Sequence, residues 1–288
     1  MSPRRIPRDW PNRHCSRRVH AAGLDWHVQV LGQGPVLLLL HGTAAATHSW
    51  AALAPLLAER FTVVAPDLPG HGFTALAPPA QCSLPGMSRA VAALLAELGL
   101  APRYLVGHSA GAAIAAALCL QGNAAPAALV SINGAMLPFG RAAAPVFSRA
   151  ARALAEMPVF PQLIALHALP RKPVLRMLRQ TGSQLPPESV RWYRQVVGAP
   201  GHVAGTLRMM ANWDLPQLER NLDRLDPPLY LLVCDGDPVV SPRQGEELAR
   251  RLPGAQLLRL PGLGHLGHEE DPPRFAALIR DIAARHGG

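Results

Sequence analysis

The chain has 288 residues, 49% hydrophobic and 16% charged, with 25 glycines and 30 prolines. That length and balance can bury one large core and exclude a disordered chain or a small disulfide-stapled one. The formal net charge is +9, and the longest apolar runs, Val36 to Leu40 and Ala112 to Leu120, are far short of a membrane span.

Arg4, Arg5, Arg8, Arg13, Arg17 and Arg18 crowd the start of the chain with no apolar stretch behind them. This reads as a basic extension over residues 1–18 of a cytoplasmic protein, able to touch an anionic membrane surface, an acidic protein or a carboxylate. The arginines are interleaved with proline and bring no recognised binding motif, so nucleic acid is not an expected partner. Cys15, Cys82, Cys119 and Cys234 are far apart. They predict reduced thiols, with no disulfide framework and no zinc site.

Short β-like runs follow: Trp26 to Leu31, Val36 to Leu40, Phe61 to Ala65, Tyr104 to Val106, Leu129 to Ile132, Leu229 to Val233 and Gln256 to Leu260. Helix-like segments alternate with them at Met87 to Leu98, Ala112 to Leu120, Glu246 to Arg251 and Pro273 to Arg285. The alternation predicts an α/β fold with a mostly parallel sheet and helices on both faces. The rhythm breaks from about Leu137 to Leu225, where helix-like pieces rich in Met, Leu and Arg are separated by prolines and glycines. The expected layout is a core over 19–136 and 226–288, with a helical cap over 137–225. In the cap, Phe139, Met209, Met210 and Trp213 are candidates to line an apolar substrate pocket; packing within the cap is the alternative.

Functional residues of such sheets gather just after the strands. After Tyr104 to Val106 stands Gly107-His108-Ser109-Ala110-Gly111, a serine on a glycine-flanked turn into a helix. The glycines relieve crowding across a sharp turn that holds the hydroxyl clear of the sheet. By itself this pattern arises by chance in roughly one such chain in ten. A nucleophilic serine also needs a base, an acid to orient it and donors for the oxyanion. The loop Gly262-Leu263-Gly264-His265 offers His265 as base, with His268 as the alternative. Cys234-Asp235-Gly236-Asp237-Pro238 offers Asp237 as orienter, with Asp235 competing. The order Ser109, Asp237, His265 is the one α/β-hydrolases use. Backbone N–H groups of Ala110 and of Thr43, in the His41-Gly42-Thr43 loop, are the candidate oxyanion donors, and His41 and His108 are read as structural or pocket-lining. Asp67 reads as a loop-fixing carboxylate. Neither the spacing of a metal site nor a phosphate loop is present, so no cofactor is expected.

With Gly-His-Ser-Ala-Gly at 107–111, His-Gly at 41–42, Asp-Leu-Pro-Gly-His-Gly at 67–72, Asp237 and His265, the chain resembles the α/β-hydrolase superfamily from about residue 16 onward. More narrowly, Asp9-Trp10-Pro11-Asn12-Arg13, Thr43 to Trp50, Ser83-Leu84-Pro85-Gly86-Met87, Gly134 to Phe139, Gly201-His202-Val203-Ala204-Gly205 and Met209 to Leu215 look like the magnesium-chelatase accessory proteins of bacteriochlorophyll biosynthesis. The resemblance implies a role in that pathway, with magnesium chelatase as a contact and a tetrapyrrole as the apolar small molecule. Arg141, Arg171 or Arg208 would meet its propionates. Two functions follow: a serine hydrolase of a carboxylic ester, or a tetrapyrrole carrier for the chelatase in which the triad is not essential.

Overall fold

The structure is a computed structural model that describes residues 4–138, 157 and 159–287. Phe139, expected in the substrate pocket, and Arg141, expected near the propionates, lie outside the described residues.

Eight strands form one sheet: β1 Ser16–Ala21, β2 Leu24–Leu31, β3 Val36–Leu40, β4 Thr62–Pro66, β5 Tyr104–His108, β6 Ala128–Ile132, β7 Leu229–Cys234 and β8 Gln256–Leu260. Their order across the sheet is β1-β2-β4-β3-β5-β6-β7-β8. Strand β2 runs antiparallel to both neighbours, and every pairing from β4 to β8 is parallel. Central strands are covered on both faces, which is why β3 reads Val-Leu-Leu-Leu-Leu with no polar alternation. Leu38 and Leu40 point into one core layer, and Leu37 and Leu39 into the other. The order of connections reverses between β3 and β5, so the carboxyl ends of these two strands frame the crevice where such sheets place their chemistry.

Helices cover both faces: α1 Leu53–Ala58, α2 Leu84–Glu97, α3 Ala110–Leu120, and, after β7, α9 Pro242–Arg251, α10 Gly267–Glu270 and α11 Pro272–Arg285. Helix α2 starts three residues before its expected Met87 because the Ser83 hydroxyl accepts from Gly86 N–H at 3.2 Å and caps it. Helix α3 is almost all alanine along its buried length, so its axis lies close on the sheet behind β5.

The basic segment before residue 19 is joined to the body. Trp10 is 2% exposed, donates from Nε1 to Thr47 Oγ1 at 3.1 Å and stands edge-on to Phe73. Arg4 donates to the carbonyls of Gly72 and Gln195, Arg18 donates to that of Phe73, and Ser16–Arg18 already belong to β1.

Between β6 and β7 the described residues form α4 Phe160–His167, α5 Arg171–Arg179, α6 Pro187–Val197, α7 Pro200–Ala211 and α8 Leu215–Glu219. Helix α7 lies backbone to backbone on the loop after β4: a methyl at Gly205 would come within 2.0 Å of Gly70 O. His202 fastens the same helix, accepting from Gly72 N–H at 2.9 Å and donating to Ala44 O at 3.2 Å. Helix α7 is thereby tied to the loops that follow β3 and β4.

Candidate active site

Ser109 follows β5 with φ 52° and ψ −118°, a conformation costly for a residue with a side chain, and α3 begins at Ala110. The turn is tight enough that methyls at Gly107 and Gly111 would come within 2.4 Å of Ala112 N and 2.0 Å of Leu40 O. The α3 N-terminus thus starts beside the Ser109 side chain, where its partial positive charge favours an anion. A methyl on Gly42 would lie 3.0 Å from Ser109 Cβ, so the loop after β3 passes directly over the serine.

His265 Nδ1 lies 2.7 Å from Asp237 Oδ2, with the two side chains 8% and 0% exposed. A carboxylate only accepts, so this contact puts the imidazole proton on Nδ1 and leaves Nε2 as the basic nitrogen. Asp237 is itself oriented: its Oδ1 accepts from Val239 N–H at 2.7 Å and Val240 N–H at 3.0 Å. Asp235, the competing orienter, faces away and pairs with Arg259 at 2.8 Å.

The loop carrying His265 is held along its backbone. His265 N–H donates to Thr181 O at 2.9 Å, Gly264 N–H to Glu270 Oε1 at 2.8 Å and Leu266 N–H to Ser183 Oγ at 2.9 Å. The His265 carbonyl accepts from His108 Nε2 and from Asn133 Nδ2, both at 2.9 Å. Asn133 also donates to Gly264 O at 3.2 Å and accepts from Cys234 N–H at 2.8 Å, so one buried amide joins the ends of β6 and β7 to the histidine loop. Sequence reasoning passed over Asn133. Its signal was available, a polar residue immediately after an apolar run at the carboxyl edge of the sheet.

His41, His108 and His268 take structural posts. His41 Nε2 accepts from Leu68 N–H at 3.0 Å and Nδ1 donates to Gly42 O at 2.8 Å, so the ring braces the loops after β3 and β4. His108 is 2% exposed and directed at the His265 backbone. Both His41 nitrogens engage loop backbone, whereas His108 Nδ1 is buried without a partner, 3.0 Å from where a methyl on Gly42 would sit. His268 is buried against Trp50, with Nε2 2.9 Å from Ser49 Oγ, and burial pushes it down to about 3. Burial likewise holds His48 and His71 down at about 3. Glu269 accepts from Ser49 and Tyr193 hydroxyls; burial pushes it up to about 8 against the lowering effect of those bonds.

Asp67 accepts from Thr47 N–H at 2.7 Å, Phe73 N–H at 2.8 Å and His27 Nδ1 at 2.6 Å. Burial opposes its charge, yet His27 and the backbone donors hold it well below the usual carboxylate range. It fixes the loops around the crevice.

Thr43 follows β3, with its hydroxyl 3.8 Å from the sulfur of Met209 in α7. Met209 is 1% exposed and belongs to the main core layer, while Met210 is half-buried and Trp213 is half-buried against that layer. Arg208 donates to Ala77 O at 3.0 Å. The structure therefore brings Asp237 onto His265, Gly42 onto Ser109, and Met209 onto Thr43.

A mostly parallel sheet with a serine elbow after β5, an aspartate after β7 and a histidine after β8 defines an α/β hydrolase, and the α/β-hydrolase-fold family matches residues 35–272: the chain belongs to it. Within that family it is similar to the magnesium-chelatase 30 kDa subunit of Rhodobacter capsulatus, at 37% identity over 98% of this chain and 99% of that one. Among solved structures it is similar to an α/β-hydrolase-fold protein from Burkholderia ambifaria, with TM-score 0.78 and 27% identity over 93% and 97% of the two chains. A thermophilic esterase from Thermogutta terrifontis is similar with TM-score 0.75 and 26% identity over 94% and 98%.

Proposed function

We propose that the chain is a serine hydrolase of a carboxylic ester, with Ser109 as nucleophile, His265 as base and Asp237 as its orienter. The observation that carries this is the 2.7 Å contact between His265 Nδ1 and an Asp237 carboxylate held on its other oxygen by two backbone N–H groups. In the reaction His265 Nε2 takes the proton of the Ser109 hydroxyl as Oγ attacks the ester carbonyl. The N–H groups of Ala110 and Thr43 receive the oxyanion, and the same proton passes to the departing alcohol. Water then hydrolyses the acyl-enzyme by the same route in reverse order. The likeness to the Thermogutta esterase supports the ester as the bond class.

The name of the Rhodobacter relative supports a place beside the magnesium-chelatase step of bacteriochlorophyll biosynthesis, with a tetrapyrrole ester as substrate class and the chelatase as physical partner. Arginines 5, 8, 13 and 17, on the exposed side of the N-terminal segment, are the element proposed to meet that partner. The same name describes a subunit, which favours a second reading: a tetrapyrrole carrier for the chelatase that works without turnover.

Ser109→Ala separates the two. Under the hydrolase reading it abolishes turnover of an activated ester and also fails to restore pigment synthesis in a deletion strain. Restoration equal to the parent, with saturable tetrapyrrole binding retained, would establish the carrier.

A further inference from the structure

Helix α4 turns an apolar face outward. Val159, Leu163 and Leu166 fall at i, i+4 and i+7, on one side of the helix, and are 60%, 56% and 63% exposed. The opposite side, Pro161, Ala165 and Ala168, is buried. Leu169, directly after the helix, is another 52% exposed. A run of large aliphatic side chains in water is unfavourable for a protein that keeps this face free, and such patches mark contact surfaces.

What surrounds the stripe identifies its occupant. Helix α5 begins two residues after Leu169 and sets Arg171, Lys172, Arg176 and Arg179 on its solvent side, with Val174 and Leu178 facing in. None of these four cations makes an ion pair among the described residues. Arg194 of the neighbouring helix α6 donates to the Leu169 carbonyl at 2.6 Å, placing one more guanidinium at the end of the stripe. From residue 157 to residue 187 the sequence contains no acidic side chain.

We propose that the outer faces of α4 and α5 seat the cap on an anionic lipid bilayer. The leucines enter the boundary between headgroups and acyl chains, and the arginines and lysine lie among the lipid phosphates. An apolar helix face with unpaired cations beside it and no acidic residue matches that chemistry in both of its parts. The N-terminal route is less apt: Arg5, Arg8, Arg13 and Arg17 are exposed, but among the described residues no large apolar side chain is exposed beside them.

The test is co-sedimentation of the full chain with vesicles of 30% phosphatidylglycerol in phosphatidylcholine, or of phosphatidylcholine alone, at low and high salt. The parent is expected to bind the anionic vesicles, more weakly in high salt. Leu163→Glu with Leu166→Glu, and separately Lys172→Glu with Arg176→Glu, are each expected to lower that binding by about tenfold. Substitution of Arg5, Arg8 and Arg13 by Glu is expected to leave most of it. All of these positions are exposed, and circular dichroism melting reports that each variant folds. The proposal is overturned if the parent does not bind, if the leucine pair binds as the parent does, or if the N-terminal variant alone loses binding. It is equally overturned if light scattering shows the leucine pair dissolving a dimer while vesicle binding persists, since a second copy of the chain would then be the occupant. No substrate enters the assay, so its outcome is separate from that of the hydrolase reading.

Discussion

Asn133 donates to the carbonyl oxygen of His265 at 2.9 Å, so a residue just past β6 holds the backbone of the residue proposed as base. The same amide bonds Gly264 O and Cys234 N–H. Replacing it by Ala leaves a buried N–H and weakens the hold on two carbonyls, at a cost of about 2 kcal/mol. The expected kinetic signature is a kcat for an activated ester reduced by about 10- to 100-fold with KM little changed, because the substrate meets the histidine and not the clamp. Urea unfolding and steady-state kinetics on the same preparation check both parts.

Asp237→Asn tests the orienter without removing the loop it holds. An amide oxygen can still accept from Val239 and Val240, so the melting temperature is expected to stay close to the parent's. The amide presents the wrong hydrogen-bond character to Nδ1, and kcat is expected to fall by about 10⁴-fold. A loss below tenfold would mean that His265 needs no orienter.

Ser109→Gly should separate stability from reactivity. At φ 52° and ψ −118° the serine occupies a region that glycine enters freely. Relief of that strain, less the greater unfolded-state freedom of glycine, is expected to stabilise the protein by about 1 kcal/mol while hydrolysis disappears. Denaturant midpoints read the first effect and ester turnover the second.

Stability should depend on pH from two directions. His48, His71 and His268 sit near 3 when folded, so between about 6.5 and 3 the unfolded chain binds protons that the folded chain does not, and stability falls as the solution is acidified. Glu269 near 8 has the opposite sign. Between about 4.5 and 8 the folded chain keeps a proton that the unfolded chain has lost, so this group subtracts stability as pH rises. His48→Phe is expected to remove about one proton, or ~1.4 kcal/mol per pH unit, from the slope between about 3 and 6.5, and Glu269→Gln to remove the opposing slope between about 4.5 and 8. Unfolding curves across the pH range measure both slopes.

The parallel core was legible because its strands are buried on both faces and stand out as unbroken apolar runs, as in β3 and β7. Strand β1 was not. Ser-Arg-Arg-Val-His-Ala lies at the sheet edge with solvent on one side, and its arginines looked like part of a basic tail. The packing of Trp10 into a cleft between Thr47 and Phe73 was hidden for the same reason, since a lone aromatic among arginines carries no periodicity. At the crevice, Ser109, Asp237 and His265 could be located because strand ends are where reactive groups are sought. The posts of His41 and His108 depend on which backbone groups lie opposite them in the fold, and spacing along the chain does not encode that.

The crowding at the elbow changes what its motif means. With Leu40 O 2.0 Å from any side chain at position 111, and Ala112 N 2.4 Å from one at 107, these glycines are required by the sheet whether or not the protein ever turns over a substrate. A lineage drifting from enzyme to carrier would keep both glycines and release the strained residue between them. The informative letter of Gly107-His108-Ser109-Ala110-Gly111 is therefore its middle one: a side chain bearing a hydroxyl where the backbone itself would favour glycine.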